Sequence, residues 1–186
     1  MKIEIQKSLE VLIKNDVLLY PTDTVWGLGC DATSESAVAK IFNIKQRSES
    51  KSLIILVNDI DMLKQYIPNV SAEILRLLSA STNPTTIIYN NPVGLAKNIV
   101  ASDNTVAVRI VQNEFCQQLI ATFGKPIVST SANISERPTP KSFQEIEQPI
   151  LDSADYIVNL HREEMNEKSS TILKVAENGE IIVLRA

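Results

Sequence analysis

Hydroxyl-bearing residues and cations are concentrated in three short stretches of this sequence. Residues 21–29 read PTDTVWGLG, residues 45–51 carry the cations Lys45, Arg47 and Lys51, and residues 129–133 read STSAN. Hydroxyls and cations gathered around a concavity suit a polyanionic ligand such as a nucleoside triphosphate. The sequence has no Ser-His-Asp order, metal-ligand cluster or Walker lysine loop that would indicate a different chemistry. We therefore expect a nucleotide site that works by positioning its substrates.

From the residues alone, two of these stretches keep a structural alternative. The serine–threonine stretch is expected to follow a buried strand at 126–128, and ligands of α/β sheets gather where strands end. The same hydroxyls could instead cap a turn. The three cations lie between a helix and an apolar strand, where they bind phosphates, complement the helix C-terminus or face solvent. Lys51 lies close to that strand, which could direct its ammonium into a cleft.

Two further charged residues, Arg109 and Asp23, have more than one possible role. Arg109 stands in the apolar run 106–110, and a buried guanidinium must pair with an acid or face a ligand. Its planar fork suits a carboxylate, and an internal salt bridge is the alternative. Asp23 could contact a magnesium ion or cap its turn. His161, the single histidine, lies in a charged segment and is expected at the surface.

The composition indicates a globular protein with an acidic balance. A length of 186 residues, of which 44% are hydrophobic, fits one domain over 1–186. The net charge is −4. The acidic balance argues against a general nucleic-acid coat but allows a local basic cleft. Cys30 and Cys116 have no CxxC spacing and are expected to be reduced core thiols. The charged N-terminus lacks a signal-peptide core and no apolar run reaches about 20 residues, so we expect a cytoplasmic protein without membrane contact.

Hydrophobic periodicity predicts interleaved helices and strands. Ile5, Leu9 and Leu12 indicate an amphipathic helix over the first fifteen residues, and Thr33 or Ser34 is expected to cap the next helix. Helices are predicted near 37–44, 59–66, 71–78 and 115–123, and strands at 17–20, 25–30, 53–57, 85–89, 106–110, 126–128, 156–158, 171–175 and 181–184. Asn178-Gly179 indicates a hairpin between the last two strands. This order predicts an α/β domain with a mixed, twisted sheet.

The segments, in this order and spacing, resemble the YrdC-like family of threonylcarbamoyl-AMP synthases. The resemblance is carried by the PTDTV-x-GLG string at 21–29, the K-x-R-x-x-x-K segment at 45–51, the VAVR strand at 106–109 and S-x-N at 131–133. It covers essentially the whole chain to Arg185 and corresponds to the single-domain form. The resemblance implies a twisted mixed sheet with flanking helices around an open concave cavity.

The resemblance also implies which residues bind each substrate. L-threonine contacts are expected from Thr22, Arg109 and Ser129. A triphosphate clamp that is also catalytic is expected from Lys45, Arg47 and Lys51. Further nucleotide contacts are expected from Thr105, Ser131, Asn133, Thr139 and Arg185. Magnesium is expected to be bound mainly through the ATP phosphates, with no protein metal ligands.

Family members convert L-threonine, bicarbonate or CO2, and ATP into threonylcarbamoyl-AMP and pyrophosphate. A separate tRNA threonylcarbamoyltransferase complex then modifies adenosine 37 of tRNAs that read ANN codons. The threonine amine adds to CO2, and the resulting carbamate attacks the α-phosphate, so no side-chain nucleophile is needed. A weak direct contact with tRNA or double-stranded RNA is a further expectation.

Some positions depart from the family pattern, and other functions stay open. Trp26 replaces a tyrosine, Glu136-Arg137 replaces a glycine, residues 81–85 replace a Trp-Pro-Gly-Pro run, and Val111 replaces a proline. The main alternative is a double-stranded RNA-binding or ribosome-assembly protein that uses the same cationic cavity. An acidic charge and 5% aromatic residues weaken it. Carbamoyl transfer to another acceptor, as in larger proteins that embed a similar domain, is a second alternative.

Overall fold

The computed structural model describes residues 1–46, 53–166, 169–176 and 179–186. The strands in these ranges are β1 Leu18–Tyr20, β2 Gly27–Gly29, β3 Ile54–Val57, β4 Thr85–Asn90, β5 Thr105–Ile110, β6 Ile127–Ser131, β7 Tyr156–Ile157, β8 Thr171–Val175 and β9 Ile181–Arg185. The α-helices are α1 Lys2–Ile13, α2 Glu35–Lys45, α3 Ile60–Tyr66, α4 Ala72–Ala80, α5 Glu114–Phe123 and α6 Gln148–Ser153. Short 3-10 turns occur at Lys97–Ile99 and Phe143–Glu145.

The strands form one twisted, mixed sheet in the order β7-β1-β2-β6-β3-β5-β4-β8-β9. The pairs β1–β7, β3–β5 and β4–β8 are parallel, and the other neighbours are antiparallel. The sheet therefore confirms the predicted mixed α/β class. It also places β5 and β6 on either side of β3, so residues far apart in sequence meet at the centre of the sheet.

Local sequence signals account for most helix boundaries. The side chains of Ser34, Asp59, Ser71 and Asn113 each accept a backbone N–H three residues ahead, which caps the helix that follows. Gly124 ends α5 in the left-handed region with φ of 73°. The cap of α2 is thus Ser34, one of the two expected residues.

The serine–threonine stretch differs from the expectation that it follows a strand. Ser129 pairs with Ile54 of β3 and Ser131 pairs with Gly27 of β2, so these hydroxyl residues belong to β6 itself. The reason is that β6 lies between two strands, and its backbone ladder continues on both edges beyond the apolar residues. The hydroxyls are consequently fixed by the sheet and do not depend on a turn.

The core packs tightly around β2, and this explains one glycine of the first stretch. A Cβ atom at Gly29 would lie 2.4 Å from the carbonyl oxygen of Val128 and 2.6 Å from the ring of Tyr20. Tyr20 is fully buried and donates from its hydroxyl to the same carbonyl oxygen at 3.0 Å. Only glycine fits this approach between neighbouring strands.

Both cysteines are buried free thiols, in agreement with the sequence expectation. Cys116 Sγ donates to the carbonyl oxygen of Pro21 at 3.2 Å. Burial raises the pKa of Cys30 and of Cys116, which keeps both thiols protonated and unreactive. In the described part of the chain, no helix is long and apolar enough to cross a bilayer.

Candidate functional site

A cavity of about 390 Å³ opens over the centre of the sheet, beside β2, β5, β6 and the end of β9. Hydroxyl groups of Thr24, Ser129, Ser131, Thr139 and Ser170 contribute to its lining. Its cations are Arg109, Lys141 and Arg185, and no carboxylate side chain lines it within the described ranges. A cavity with this lining favours a polyanionic ligand.

Arg109 is the most deeply buried cation of this cavity. Its Nη2 atom lies 3.1 Å from Asp23 Oδ1, and the two side chains are 4% and 7% exposed. Nη2 also donates to Thr24 Oγ1 at 3.3 Å. Nε is buried and has no hydrogen-bond partner among the residues that the structure describes. The internal ion pair considered from the sequence is therefore present, on a side chain that also lines the cavity.

Thr22 lies behind the cavity, in a hydrogen-bond chain whose direction can be assigned. Thr22 Oγ1 donates to the carbonyl oxygen of Val25 at 2.8 Å and accepts the backbone N–H of Thr24 at 3.0 Å. Because its proton is used on Val25, the 3.0 Å contact between the two threonine hydroxyls must be donated by Thr24. The Thr22 hydroxyl is then saturated, whereas Thr24, which sequence reasoning missed, accepts from Arg109 and lines the cavity.

Two sequence-predicted residues on β6, Ser129 and Ser131, both line the cavity. A Cβ atom at Gly27, on the neighbouring strand, would lie 3.2 Å from Ser129 Oγ. The glycine therefore leaves the space in front of this hydroxyl open. Since both strands are central in the sheet, the hydroxyls are held without a flexible loop.

Lys45 lies at the end of α2 and is 1% exposed. Its Nζ atom donates to the carbonyl oxygens of Ser131 at 2.6 Å and Asn133 at 2.7 Å. Lys45 is absent from the cavity lining, and these bonds tie α2 to the end of β6. Its expected role on the triphosphate stays a prediction, as do those of Arg47 and Lys51, which lie outside the described residues.

The remaining predicted nucleotide contacts divide into two groups. Thr139 and Arg185 line the cavity. Asn133 does not; its Nδ2 donates to the carbonyl oxygens of Ile134 and Arg137, which holds the segment after β6. Thr105 begins β5, at the opposite end from Arg109, and its hydroxyl donates to Asp103 at 2.6 Å. Whether either contacts a nucleotide stays a prediction.

Arg185 is anchored by Ser170, which directly precedes β8. Its Nε and Nη2 atoms donate to the carbonyl oxygen of Ser170 at 3.0 and 2.8 Å. The hydroxyl of Ser170 in turn accepts from Thr86 at 2.8 Å. Ser170 and Lys141 are lining residues that sequence reasoning missed. Lys141 stands two positions after the expected contact Thr139, and this closeness in sequence is the signal that could have identified it.

An aromatic wall closes one side of the cavity. Trp26 lines it and is almost completely buried, with its ring centroid 4.9 Å from that of Phe143. The Arg162 guanidinium lies over the Phe143 ring, 4.6 Å from the centroid of that ring. The tryptophan that replaces the expected tyrosine is thus braced in place.

Other departures from the family pattern lie elsewhere. Ser81, Asn83 and Val111 line a second cavity of about 420 Å³, and none of them lines the first. The substitutions at 81–85 and at 111 therefore leave the lining of the first cavity unchanged.

The described residues offer no carboxylate cage for a metal ion. They contain no group of three or more His, Cys, Asp or Glu residues that could hold one. Asp23 faces Arg109 with one oxygen and accepts the backbone N–H of Gln112 at 3.0 Å with the other. The carboxylate considered as a magnesium contact is thus engaged within the protein. His161 is exposed and lies 2.6 Å from Glu164, as expected for a surface residue.

Comparison with known proteins gives consistent relatives. The model of the Sua5/YciO/YrdC family, which carries the description "Telomere recombination", matches residues 10–186. A threonylcarbamoyl-AMP synthase from Enterobacter sp. (strain 638) is 33% identical over 145 residues, which cover 76% of each chain.

Solved structures show the same fold. The structure of P. abyssi Sua5 complexed with L-threonine has a TM-score of 0.86 at 27% identity, over 97% of this chain and 53% of that chain. Full-length HypF in a phosphate- and nucleotide-bound form has a TM-score of 0.83 at 26% identity, over 98% of this chain and 28% of that one. This chain therefore spans about half of the Sua5 chain and about a quarter of HypF.

Proposed function

The chain belongs to the Sua5/YciO/YrdC family, and we propose that it is a threonylcarbamoyl-AMP synthase, a nucleotidyltransferase-type enzyme. The observation that carries the proposal is the guanidinium of Arg109, which is 4% exposed and lines a cavity of hydroxyls and cations. A guanidinium in such a place binds an anion through charge-assisted hydrogen bonds. The carboxylate of an amino acid has the matching charge and planar shape.

The lining residues support the following placement of the substrates. The threonine carboxylate binds Arg109, with Ser129 beside it. The nucleotide phosphates bind toward Arg185 and Lys141, on the side of Ser131 and Thr139. We propose that the amino group of threonine is then directed toward the phosphates.

The reaction needs positioning and charge neutralisation. The threonine amine adds to CO2 to give a carbamate, whose oxygen attacks the α-phosphorus of ATP while the bond to pyrophosphate breaks. Holding the reactants together lowers the barrier by several kcal/mol. Cations facing the departing pyrophosphate stabilise its growing charge. Both cysteines are buried thiols with raised pKa values, so neither is suited to covalent catalysis.

Magnesium fits this site as an ion that the nucleotide brings with it. A lining without carboxylates suits Mg²⁺ that keeps water and takes its ligands mainly from phosphate oxygens. The ion would neutralise charge on the leaving pyrophosphate.

We place the product in the pathway to the modified adenosine 37 of ANN-decoding tRNAs, with a tRNA threonylcarbamoyltransferase complex as the receiving partner. Because those tRNAs serve translation, we also propose a cytoplasmic location. The alternative of a double-stranded RNA-binding or ribosome-assembly protein is not favoured. Its stacking platform would need exposed aromatic rings, whereas Trp26 is buried at the cavity wall.

The proposal is tested by pyrophosphate release from ATP and bicarbonate with and without L-threonine. We expect release that depends on threonine and on magnesium. Release that is equal without threonine would contradict the proposal and indicate a plain nucleotide hydrolase.

A first variant tests the triphosphate clamp predicted from the sequence. Lys51→Ala should raise the KM for ATP about tenfold, because a charge-assisted contact with phosphate contributes about 1.5 kcal/mol or more. Steady-state kinetics with varied ATP measure this.

The control is Lys40→Ala on α2, where the Lys40 side chain is 45% exposed and its ammonium pairs with Asp16 at 2.7 Å. This variant should leave the KM for ATP unchanged. Equal effects of the two changes would indicate a diffuse electrostatic field without a specific clamp.

A further inference from the structure

Asp23 connects the guanidinium of Arg109 to the backbone that follows β5. One carboxylate oxygen, Oδ1, lies 3.1 Å from Arg109 Nη2, and the other, Oδ2, accepts the backbone N–H of Gln112 at 3.0 Å. The Oδ1 contact lacks hydrogen-bond alignment, so it acts as an ion pair. The Asp23 side chain thus contacts both the Arg109 guanidinium and the backbone N–H of Gln112, which is three residues after Arg109.

The neighbouring residue contacts the same atom of the guanidinium. Thr24 Oγ1 accepts from Arg109 Nη2 at 3.3 Å, and its own proton is directed to Thr22. Residues 23 and 24 therefore both contact Nη2, and together they hold the guanidinium of a side chain that lines the cavity. An arginine held in this way presents a fixed donor, whereas a long side chain held only by its stem would sample several rotamers.

We propose that Asp23 is the positioning residue of the threonine site, which fixes Arg109 so that its guanidinium receives the substrate carboxylate. This inference rests on the proposed function. Asp23 itself is not among the cavity-lining residues, so its effect on binding passes through Arg109.

Orientation and attraction give opposite predictions for Asp23. Removing its charge leaves Arg109 with an uncompensated positive charge, which by Coulomb attraction alone would tighten binding of a carboxylate. Removing it also releases the guanidinium from its fixed geometry, which weakens binding. The direction of the change in threonine affinity therefore separates a positioning residue from a charge that merely neutralises Arg109.

Asparagine is the most informative replacement because it keeps the shape of aspartate. If the amide oxygen stays on the N–H of Gln112, the amide NH2 group faces the guanidinium, and two donors oppose each other. If the amide turns over, the Gln112 N–H loses its acceptor. Neither orientation satisfies both contacts of the native carboxylate.

The test measures ligand affinity by isothermal titration calorimetry, independently of turnover. For Asp23→Asn we expect the Kd for L-threonine to rise about ten- to hundredfold, the range for losing a hydrogen bond to a charged group. The Kd for ATP should change less than about twofold, because the phosphates bind other cations. In pyrophosphate release, the KM for threonine should rise while kcat changes much less.

Two further variants keep the test decisive. Asp31→Asn removes another buried carboxylate, which pairs with Lys125 at 2.8 Å and does not line the cavity. It should lower the melting temperature without changing threonine affinity. Asp23→Glu keeps the charge but moves it by one methylene, and it should recover part of the lost affinity. If the Asp23→Asn protein does not fold, Asp23→Glu takes its place in the comparison of threonine and ATP affinities with wild type.

The outcomes separate this inference from the proposed function. Unchanged or tighter threonine binding in Asp23→Asn would overturn the positioning role, and so would equal losses for threonine and ATP. Wild-type protein that binds threonine with the expected dependence on Asp23, yet releases no pyrophosphate, would contradict the proposed function alone. Wild-type protein that does not bind threonine would overturn both.

Discussion

Replacing Arg109 with lysine is expected to lower kcat/KM for L-threonine about a hundredfold or more. Lysine keeps the positive charge next to Asp23 but has neither the Nε–H donor nor the planar fork. Losing the charge-assisted contact with the carboxylate costs up to about 3 kcal/mol, which corresponds to about two orders of magnitude. Most of the loss should fall on the KM for threonine, and the KM for ATP should change little. Steady-state kinetics with each substrate varied in turn measure both quantities.

Lysine is preferred to alanine at this position because alanine would leave Asp23 buried without a cation, and such a change is strongly destabilising. The matched control is Arg137→Lys, whose guanidinium pairs with Glu147 at 2.7 Å and is exposed. It should retain wild-type kinetics. A threonine KM for Arg109→Lys within about twofold of wild type would show that the guanidinium does not bind the carboxylate.

Replacing Lys45 with methionine is expected to lower the free energy of unfolding by about 3 kcal/mol. The variant keeps the length of the side chain but removes the charge-assisted hydrogen bonds to the carbonyl oxygens of Ser131 and Asn133. The Ser131 oxygen still accepts the backbone N–H of Asn133 at 2.9 Å, so the larger share of the loss falls on the Asn133 oxygen. A hydrogen bond to a charged group contributes about 1.5–3 kcal/mol. For a domain of this size, such a loss lowers the melting temperature by roughly 6–12 °C. Urea denaturation and thermal unfolding measure it directly.

Lys40 on the same helix supplies the control for this change. Its ion pair with Asp16 is largely exposed, so Lys40→Met should cost less than about 1 kcal/mol. If Lys45→Met were instead as stable as wild type and raised the KM for ATP, Lys45 would act on the triphosphate, as the resemblance implies. The two measurements thus decide between a structural tie and a phosphate contact.

Local signals in the sequence were sufficient for the described strands and for the first five helices, whereas α6 was not predicted. Apolar periodicity located α1, the cap Ser34 located the start of α2, and Gly124 marked the end of α5. The length of β6 could not be predicted in this way. Its polar residues lie in the sheet because strands from distant parts of the chain flank it, and no local pattern reports that.

The cavity was predictable in its chemistry but only partly in its residues. Arg109 and Ser129 could be singled out from their types and positions, whereas Arg185 was expected only from the family resemblance, and all three line the cavity. The contact between Asp23 and Arg109 joins residues that are distant in the sequence and could not be found by spacing. The saturated hydroxyl of Thr22 follows from a turn geometry that only the structure gives.

The most direct test of the synthase assignment is to identify the product. Protein incubated with ATP, magnesium, L-threonine and ¹³C-bicarbonate should form threonylcarbamoyl-AMP that carries the label in its carbamoyl carbon, detectable by mass spectrometry together with pyrophosphate. We predict this labelled adenylate in wild-type protein and its loss in Arg109→Lys at limiting threonine. Folded wild-type protein that binds ATP and threonine but forms no labelled adenylate would contradict the assignment.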